Sequence, residues 1–235
     1  MGNSEHTSKQ FDTELEAVRA RVLQMGGLVE SQIRLAIESL TSGDVALMNR
    51  VIEDDHRVNA LEVEIDENCS HILVRRQPAA GDLRMVMTVI KTITDLERIG
   101  DEAEKIARMA KLLSQKDRLH LPRYTEIKHA SDIALDMLRK SLDAFARLDL
   151  VTAAQVVRQD ELVDEEFRAT MRYLITFMME DPRTISTSLE ILFVAKAIER
   201  IGDHAKNMSE YVVYMVKGRD VRHVSVEEIE REVQQ

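Results

Sequence analysis

The amino-acid sequence carries one pentapeptide, Glu-Arg-Ile-Gly-Asp, twice, at positions 97–101 and 199–203. An identity of this length with similar flanking residues is rarely accidental, and it indicates an internal repeat. The two acids of each copy are four residues apart, so on a helix they lie on the same face. The duplication therefore constrains both halves of the chain to one fold and marks two equivalent pairs of acids.

The composition of the chain favours helices throughout. Its 235 residues include only three prolines and eight glycines, with no tryptophan and few other aromatic residues. The aromatic and threonine runs that favour strands are missing, whereas good helix formers are abundant. We therefore predict an all-α protein.

Apolar residues recur at alternating steps of three and four positions, which is the pattern of amphipathic helices packed in a bundle. Three such stripes precede the polar stretch at 114–123, and three follow it. Asp44 and Asp149 stand just before the second stripe of each copy, where a carboxylate can accept the free amides of a first helical turn. Each copy is thus expected to contain three helices.

The predicted fold class is all-α, with two tandem, sequence-related three-helix bundles and six long helices related by a pseudo-twofold internal repeat. The first bundle is expected to span residues 10–115 and the second residues 120–217. The remaining residues, 218–235, are expected to form a charged C-terminal tail.

Acidic side chains interrupt the apolar stripe of the second helix in each copy. Burying an unpaired carboxylate costs several kcal/mol, so these acids need a cation, a basic side chain or water. If the second and third helices of a bundle pack side by side, their acids gather over one surface. The candidate site residues are Asp55, Asn59, Glu62, Glu97 and Asp101 in the first bundle, and Asp160, Asp164, Glu199 and Asp203 in the second.

Carboxylate oxygens are hard ligands that suit iron, manganese, magnesium or calcium, and zinc where a histidine such as His204 joins them. Repulsion among neighbouring carboxylates also favours a bound cation. We therefore expect metal ions on the two acidic surfaces. A second interpretation is that the acids form salt bridges between helices. The basic residues available for this are Arg57, Arg98, Lys105, Lys196 and Arg200.

Two Glu-x-x-His units suggest an alternative function. Glu53 with His56, and Glu126 with His129, match the unit that ferritin-like di-iron bundles use. The two units stand at non-equivalent places in the two copies, which favours coincidence. No nucleophile–base pair, glycine-rich phosphate loop or cofactor fingerprint is visible. We expect a protein that is not an enzyme, with a carboxylate-bridged di-iron oxidoreductase or metal-storage bundle as the alternative.

The charge and hydropathy of the chain exclude several partners. The formal net charge is −10, without the basic footprint that nucleic-acid binding requires. No apolar run approaches the length of a bilayer, so direct membrane insertion is not expected. The single cysteine, Cys69, fits a reducing compartment. These features predict a soluble, cytoplasmic protein.

Three motifs together resemble the PhoU family over roughly residues 10–217. They are the doubled Glu-Arg-Ile-Gly-Asp, the run Asp160-Glu161-Leu162-Val163-Asp164, and the run from Gln77 to Arg84 at the start of the third helix. Their order along the chain makes the resemblance specific. It implies two similar three-helix bundles that commonly dimerise and hold multinuclear metal on the acidic surfaces. Iron or zinc becomes the first expectation, with manganese or magnesium as further candidates.

The resemblance also implies a role in phosphate homeostasis. Members of the family are adaptors that keep the phosphate-starvation response off when phosphate is plentiful. They are associated with the sensor histidine kinase PhoR and with PstB, the ATPase of the phosphate ABC transporter, at the membrane. The expectation is therefore a cytoplasmic homodimer that negatively regulates phosphate-starvation signalling and phosphate uptake by linking the transporter to the kinase.

One position departs from the family pattern of Glu/Asp-x-x-x-Asp. Asn59 stands in the first bundle where a second Asp is expected. An amide oxygen carries no charge, so it is a weaker ligand for a hard cation than a carboxylate. We therefore expect the second bundle, which keeps all four acids, to bind metal more tightly than the first.

Overall fold

The computed structural model describes residues 9–115 and 124–234, which are almost entirely helical and contain no strand within those ranges. Helices α1, α2 and α3 pack against one another, and α4, α5 and α6 repeat that arrangement. The all-α class and the two tandem three-helix bundles are thereby confirmed. The helices are α1 (Lys9–Ser42), α2 (Val45–Arg76), α3 (Ala80–Ser114), α4 (Thr125–Arg147), α5 (Leu150–Glu180), α6 (Ile185–Lys217) and α7 (Val226–Gln234).

The ends of the helices follow from local chemistry. Asp44 accepts hydrogen bonds from the amides of Ala46 and Leu47, at 2.8 and 3.4 Å. Asp149 does the same for α5, where the bond to the amide of Val151 is 2.9 Å. Both predicted caps are therefore present, and each satisfies amides that have no partner inside the helix. The predicted division between the copies, at 114–123, falls mostly outside the described residues.

The core of each bundle is the set of apolar stripes seen in the sequence. Val22, Met25 and Val29 of α1 are fully buried, as are Ile198 and Ile201 of α6. Cys69 is buried in the first bundle, and burial raises the pKa of its thiol to about 12. Cys69 therefore acts as a small, unreactive hydrophobic side chain.

The two bundles meet along α3 and α6, which run antiparallel. Two polar groups in this contact are almost fully buried, His204 and Asp95, with His204 Nδ1 2.6 Å from Asp95 Oδ1. The half-buried Asn207 donates its Nδ2 to the same oxygen at 3.3 Å. Further along, Arg200 pairs with Glu102 at 3.1 Å. Apolar contact would allow the helices to slide, whereas these directional pairs define one register between the bundles.

Helix α7 lies in the segment that the sequence describes only as a charged tail. It packs against α5, with Ile229 almost fully buried. Arg158 of α5 also binds Glu230 through two bonds, at 2.6 and 2.8 Å. Val226 and Val233 pack beside Ile229 at steps of three and four, a stripe of only about two turns. None of the described helices contains a stretch long and apolar enough to cross a membrane.

Gly26 and Gly27 of α1 offer a matched test of the α1–α4 packing. A methyl group on Gly27 would contact nothing within 4 Å, whereas one on Gly26 would lie 2.6 Å from both terminal methyl carbons of Leu142. We expect Gly27→Ala to raise the free energy of unfolding by about 0.5–1 kcal/mol through helix propensity. Gly26→Ala should lose that gain, because overpacking costs about 1–3 kcal/mol. Urea denaturation measures both, and a Gly26→Ala variant as stable as Gly27→Ala would contradict the packing.

Candidate metal-binding faces

The structure brings the candidate acids of the first bundle together on adjacent helices. We call this surface the first acidic face; it is built by α2 and α3. Asp55 is 6% exposed, whereas Asp101 is open to solvent. The two helices pack side by side, as the prediction required. The members of the first acidic face are Asp55, Asn59, Glu62, Glu97 and Asp101.

Part of the first acidic face lacks hydrogen-bond partners. Asn59 Nδ2 donates to Asp55 Oδ2 at 3.1 Å, and Thr94 donates to Glu62 at 3.3 Å. The other oxygen of Asp55 and the amide oxygen of Asn59 are buried without a partner among the described residues. Beneath them lies Gln32 of α1, which is 2% exposed and whose amide is also unpartnered. Buried unpartnered polar atoms are costly, so this place favours a ligand.

The electrostatics of the first acidic face also favour a bound ligand. Burial raises the pKa of Asp55, Glu62, Glu97 and Asp101, and the charges of neighbouring carboxylates raise them further. In the described part of the chain, basic side chains pair with adjacent acids such as Glu102 but with none of these four. Arg98 and Lys105 offset part of this charge without forming an ion pair with these acids in that part of the chain. The remaining repulsion among the carboxylates favours either protons or a bound cation.

Gly100, inside the first repeated pentapeptide, allows the buried part of this face to form. A methyl group at this position would lie 3.2 Å from Gln32 Oε1 and 3.3 Å from Asp55 Oδ1. The missing side chain thus lets α1 and α2 bring these two polar groups against α3. A glycine in a helix interior costs helix propensity, and here it allows this close approach.

The second acidic face, on α5 and α6, consists of Asp160, Asp164, Glu199 and Asp203. Unlike the first, it is largely neutralised by basic side chains of the protein. Lys206 Nζ lies 2.7 Å from Asp160, Lys196 lies 2.6 Å from Glu199, and Arg168 lies 3.0 Å from Asp164. The salt-bridge interpretation therefore describes this face well.

Asp203 is the acid of the second face that forms no ion pair within the described part of the chain. Burial raises its pKa to about 6, with further contributions from Glu199 and Asp160. The sequence favoured this face for metal because it keeps four acids. That expectation stays a prediction. In the described residues, three of these four acids pair with basic side chains, whereas no ion pair reaches the acids of the first face.

The oxygen donors of each acidic face determine whether a metal ion can bind there. Among the described residues, no three histidine, cysteine or acidic side chains converge closely enough to enclose a metal ion. The first acidic face nevertheless offers hard oxygen donors and an unpartnered buried carboxylate oxygen, with no direct ion pair to its acids among the described residues, which is chemistry that suits a divalent cation. At the second face, lysine or arginine already pairs with every acid except Asp203.

Other residues suggested by the sequence lie elsewhere. His204 faces α3, where it binds Asp95. Glu53, His56, Glu126 and His129 are all exposed, whereas the side chains of a di-iron bundle project into the core. Three residues that adjoin the acidic faces were not predicted from the sequence: Gln32, Glu104 and Lys206. Aligning the two copies would have drawn attention to Glu104 and Lys206, since they occupy the same place after the repeated pentapeptide.

The glycines of the two pentapeptides provide a test of this asymmetry. A methyl group on Gly202 would meet Val163 at 3.4 Å, an ordinary contact, whereas one on Gly100 would press on Gln32 and Asp55. Both changes gain helix propensity. We expect Gly202→Ala to be more stable than Gly100→Ala by about 1–2 kcal/mol, the cost of displacing packed groups. Chemical denaturation of the two variants measures this, and equal stabilities would refute it.

Glu210 of α6, near the second acidic face, is 5% exposed, and burial raises its pKa to about 7 against the opposing charges of Lys206 and Arg222. Between its ordinary value of 4.5 and about 7, the folded protein keeps a proton that the unfolded chain has released. The free energy of unfolding therefore falls as pH rises through this window.

Glu210→Gln should remove much of that fall, because an amide has no proton to lose. The expected difference in unfolding free energy between pH 4.5 and 7 is about 2 kcal/mol smaller than in the wild type. Denaturation curves across this pH range measure the effect. Glu161→Gln, an exposed position on α5, serves as the control and should leave the pH dependence as it is. A Glu210→Gln variant with the wild-type slope would disprove the assignment.

Comparison with known proteins agrees with this architecture. The PhoU domain model matches the chain twice, at residues 22–110 and 127–212. A Burkholderia protein described as a phosphate-specific transport system accessory protein PhoU homolog is 49% identical over 228 residues, covering 97% of each chain.

Two solved structures have the same fold. The crystal structure of PhoU from Pseudomonas aeruginosa has a TM-score of 0.86 and 47% identity, covering 89% of this chain and all of that one. The structure of the phosphate transport system regulatory protein PhoU from Streptococcus pneumoniae has a TM-score of 0.83 and 28% identity, covering 90% of this chain and 99% of that one. With two domain matches and near-complete coverage of its relatives, the chain belongs to the PhoU family.

Proposed function

We propose that the protein is a non-enzymatic regulator of phosphate homeostasis, which restrains phosphate-starvation signalling and phosphate uptake. The observation that carries this is the double match to the PhoU domain, in a chain aligned almost end to end with a phosphate-specific transport system accessory protein. A regulator of this kind acts through surfaces that bind partner proteins and needs no catalytic site. The two acidic faces are the most distinctive surfaces of the described chain.

In this proposal the protein acts in the cytoplasm as a homodimer and links two membrane-bound partners. One is the ATPase PstB of the phosphate transporter, and the other is the sensor histidine kinase PhoR. A protein that binds one state of a partner more tightly than another shifts the partner toward that state. Preferential binding to the phosphate-replete state of the transporter would thus hold the kinase in its inactive state.

Metal ions are part of the proposal, with iron or zinc as the first candidates. At the first acidic face, Asp55, Glu97 and Asp101 would hold the cation, with the oxygens of Asn59 and Glu62 nearby. The cation supplies positive charge, which offsets the repulsion among these carboxylates. The exposure of the two aspartates sets the position of the cation: Asp55 would bind it from the buried side near α1, and Asp101 from the solvent side. Such a face could bind carboxylate or phosphate groups of a partner only when it carries the metal.

Deletion of the gene tests the regulatory function. In cells grown with abundant phosphate, we expect deletion to switch on phosphate-responsive transcription and to raise phosphate uptake, because the brake is lost. Transcript levels and uptake of labelled phosphate measure this. The wild-type gene supplied in trans should restore both, and Gly27→Ala should restore them equally, since it lies outside both faces. Unchanged transcription and uptake in the deletion strain would overturn the proposal.

A further inference from the structure

The two acidic faces carry opposite charges at one equivalent position. The pentapeptides align Glu97 with Glu199 and Asp101 with Asp203, so three residues later Glu104 aligns with Lys206. Both residues lie on the helix that contributes the pentapeptide, α3 or α6, and both are half-buried. At this position the first copy therefore presents a carboxylate and the second an ammonium group.

Lys206 is bound tightly into the second face. Its Nζ donates to Asp160 Oδ2 at 2.7 Å, and Asp160 is only 7% exposed. Although burial opposes its charge, the bond to Asp160 and the nearby charges of Glu210 and Asp203 keep the pKa of Lys206 above its ordinary value. The ammonium thus remains charged and stays beside the most buried acid of the face.

Glu104 does the opposite in the first face. It pairs outward with Arg108 at 2.6 Å, and its charge is the leading electrostatic repulsion on Asp55. Asp55 is the counterpart of Asp160, and both are buried on the second helix of their bundle. Asp55 receives only the amide of Asn59, and its other oxygen has no partner among the described residues.

We infer that Lys206 is a tethered counter-ion that takes the place of a bound cation at the second acidic face, leaving the first face as the cation site of this chain. The inference rests on the proposed binding of cations to acidic faces and decides between them. A divalent ion at the second face would have to displace an ammonium that is already hydrogen-bonded, and would be repelled by it. At the first face a cation has no salt bridge to break among the described residues, only neutral hydrogen bonds from Asn59 and Thr94.

The inference explains why this chain tolerates Asn59. A face that binds an external cation can gather charge from several acids, and Glu104, although paired with Arg108, adds negative potential at Asp55 where Asn59 adds none. The second face keeps Asp164, but Arg168 and Lys196 join Lys206 in neutralising it. The number of acids therefore does not identify the metal-binding face. The balance between acids and bases does.

Titration with Mn²⁺ alone tests the inference in the full chain. Manganese is a hard ion that suits carboxylates, and electron paramagnetic resonance measures the free ion directly. We expect the wild type to bind Mn²⁺ tightly and the double variant Asp55→Asn with Asp101→Asn to lose this binding. Asp160→Asn with Asp203→Asn should leave it unchanged. Loss of wild-type binding in the second pair, with retention in the first, would overturn the inference while leaving metal binding itself intact.

Lys206→Glu gives the second face the residue of the first. We expect it to raise the affinity of the second face for Mn²⁺ at least about tenfold, equivalent to about 1.4 kcal/mol. Adding Asp160→Asn and Asp203→Asn should remove the new binding. Lys206→Gln, which removes only the charge, should give a smaller gain and serves if the glutamate disturbs folding. Circular dichroism checks the fold.

Lys140→Glu is the matched control, because Lys140 is also a half-buried lysine paired with an acid, Asp136, but lies on α4. It should leave Mn²⁺ binding unchanged. If folded Lys206→Glu and Lys206→Gln gain no binding, the inference fails. If the wild type binds no Mn²⁺ but Lys206→Glu binds it at the second face, the counter-ion role stands and the proposed site at the first face falls.

Discussion

The antiparallel contact between α3 and α6 is the interaction on which the rest of the molecule depends. Each of these helices packs against both other helices of its own bundle and against its equivalent in the other bundle. Little of its surface is left for solvent. The pair between Asp95 and His204 and the pair between Glu102 and Arg200 hold the register of this contact. Since α3 and α6 are each covered by three other helices, the acids of the repeated pentapeptide lie at the edge beside α2 or α5.

That confinement explains why the acidic faces are partly buried. Glu97 and Asp101 are forced against Asp55 by the packing of α3 on α2, and Gly100 removes the side chain that would hold them apart. Carboxylates in such a place become harder to ionise unless positive charge is supplied. The two bundles meet this requirement differently: Lys206 supplies the charge in the second, and the first has no such residue among those described.

Much of the fold could be predicted from the sequence, because its determinants are local or periodic. The apolar stripes identified six helices, and Asp44 and Asp149 identified two helix starts through chemistry confined to one turn. The repeat identified which helices are equivalent. Helix α7 was assigned to the charged tail because its apolar stripe, Val226, Ile229 and Val233, spans only about two turns within a charged segment. The candidate site was predicted in part: the acids were identified, whereas the buried amide of Gln32 was not.

The sequence by itself determined the helices, the duplication and the two sets of acids, since each depends on spacing along a single chain segment. The local pairs of Lys196 with Glu199 and of Arg168 with Asp164 also follow from spacing within one helix, whereas only the tertiary structure decided that Lys206 neutralises the buried Asp160. The partner of Asp160 is 46 residues away and that of Asp95 is 109 residues away. Such pairings depend on how the helices pack, and spacing within one helix carries no information about them. The repeated pentapeptide is therefore the same in both copies, while its electrostatic surroundings differ.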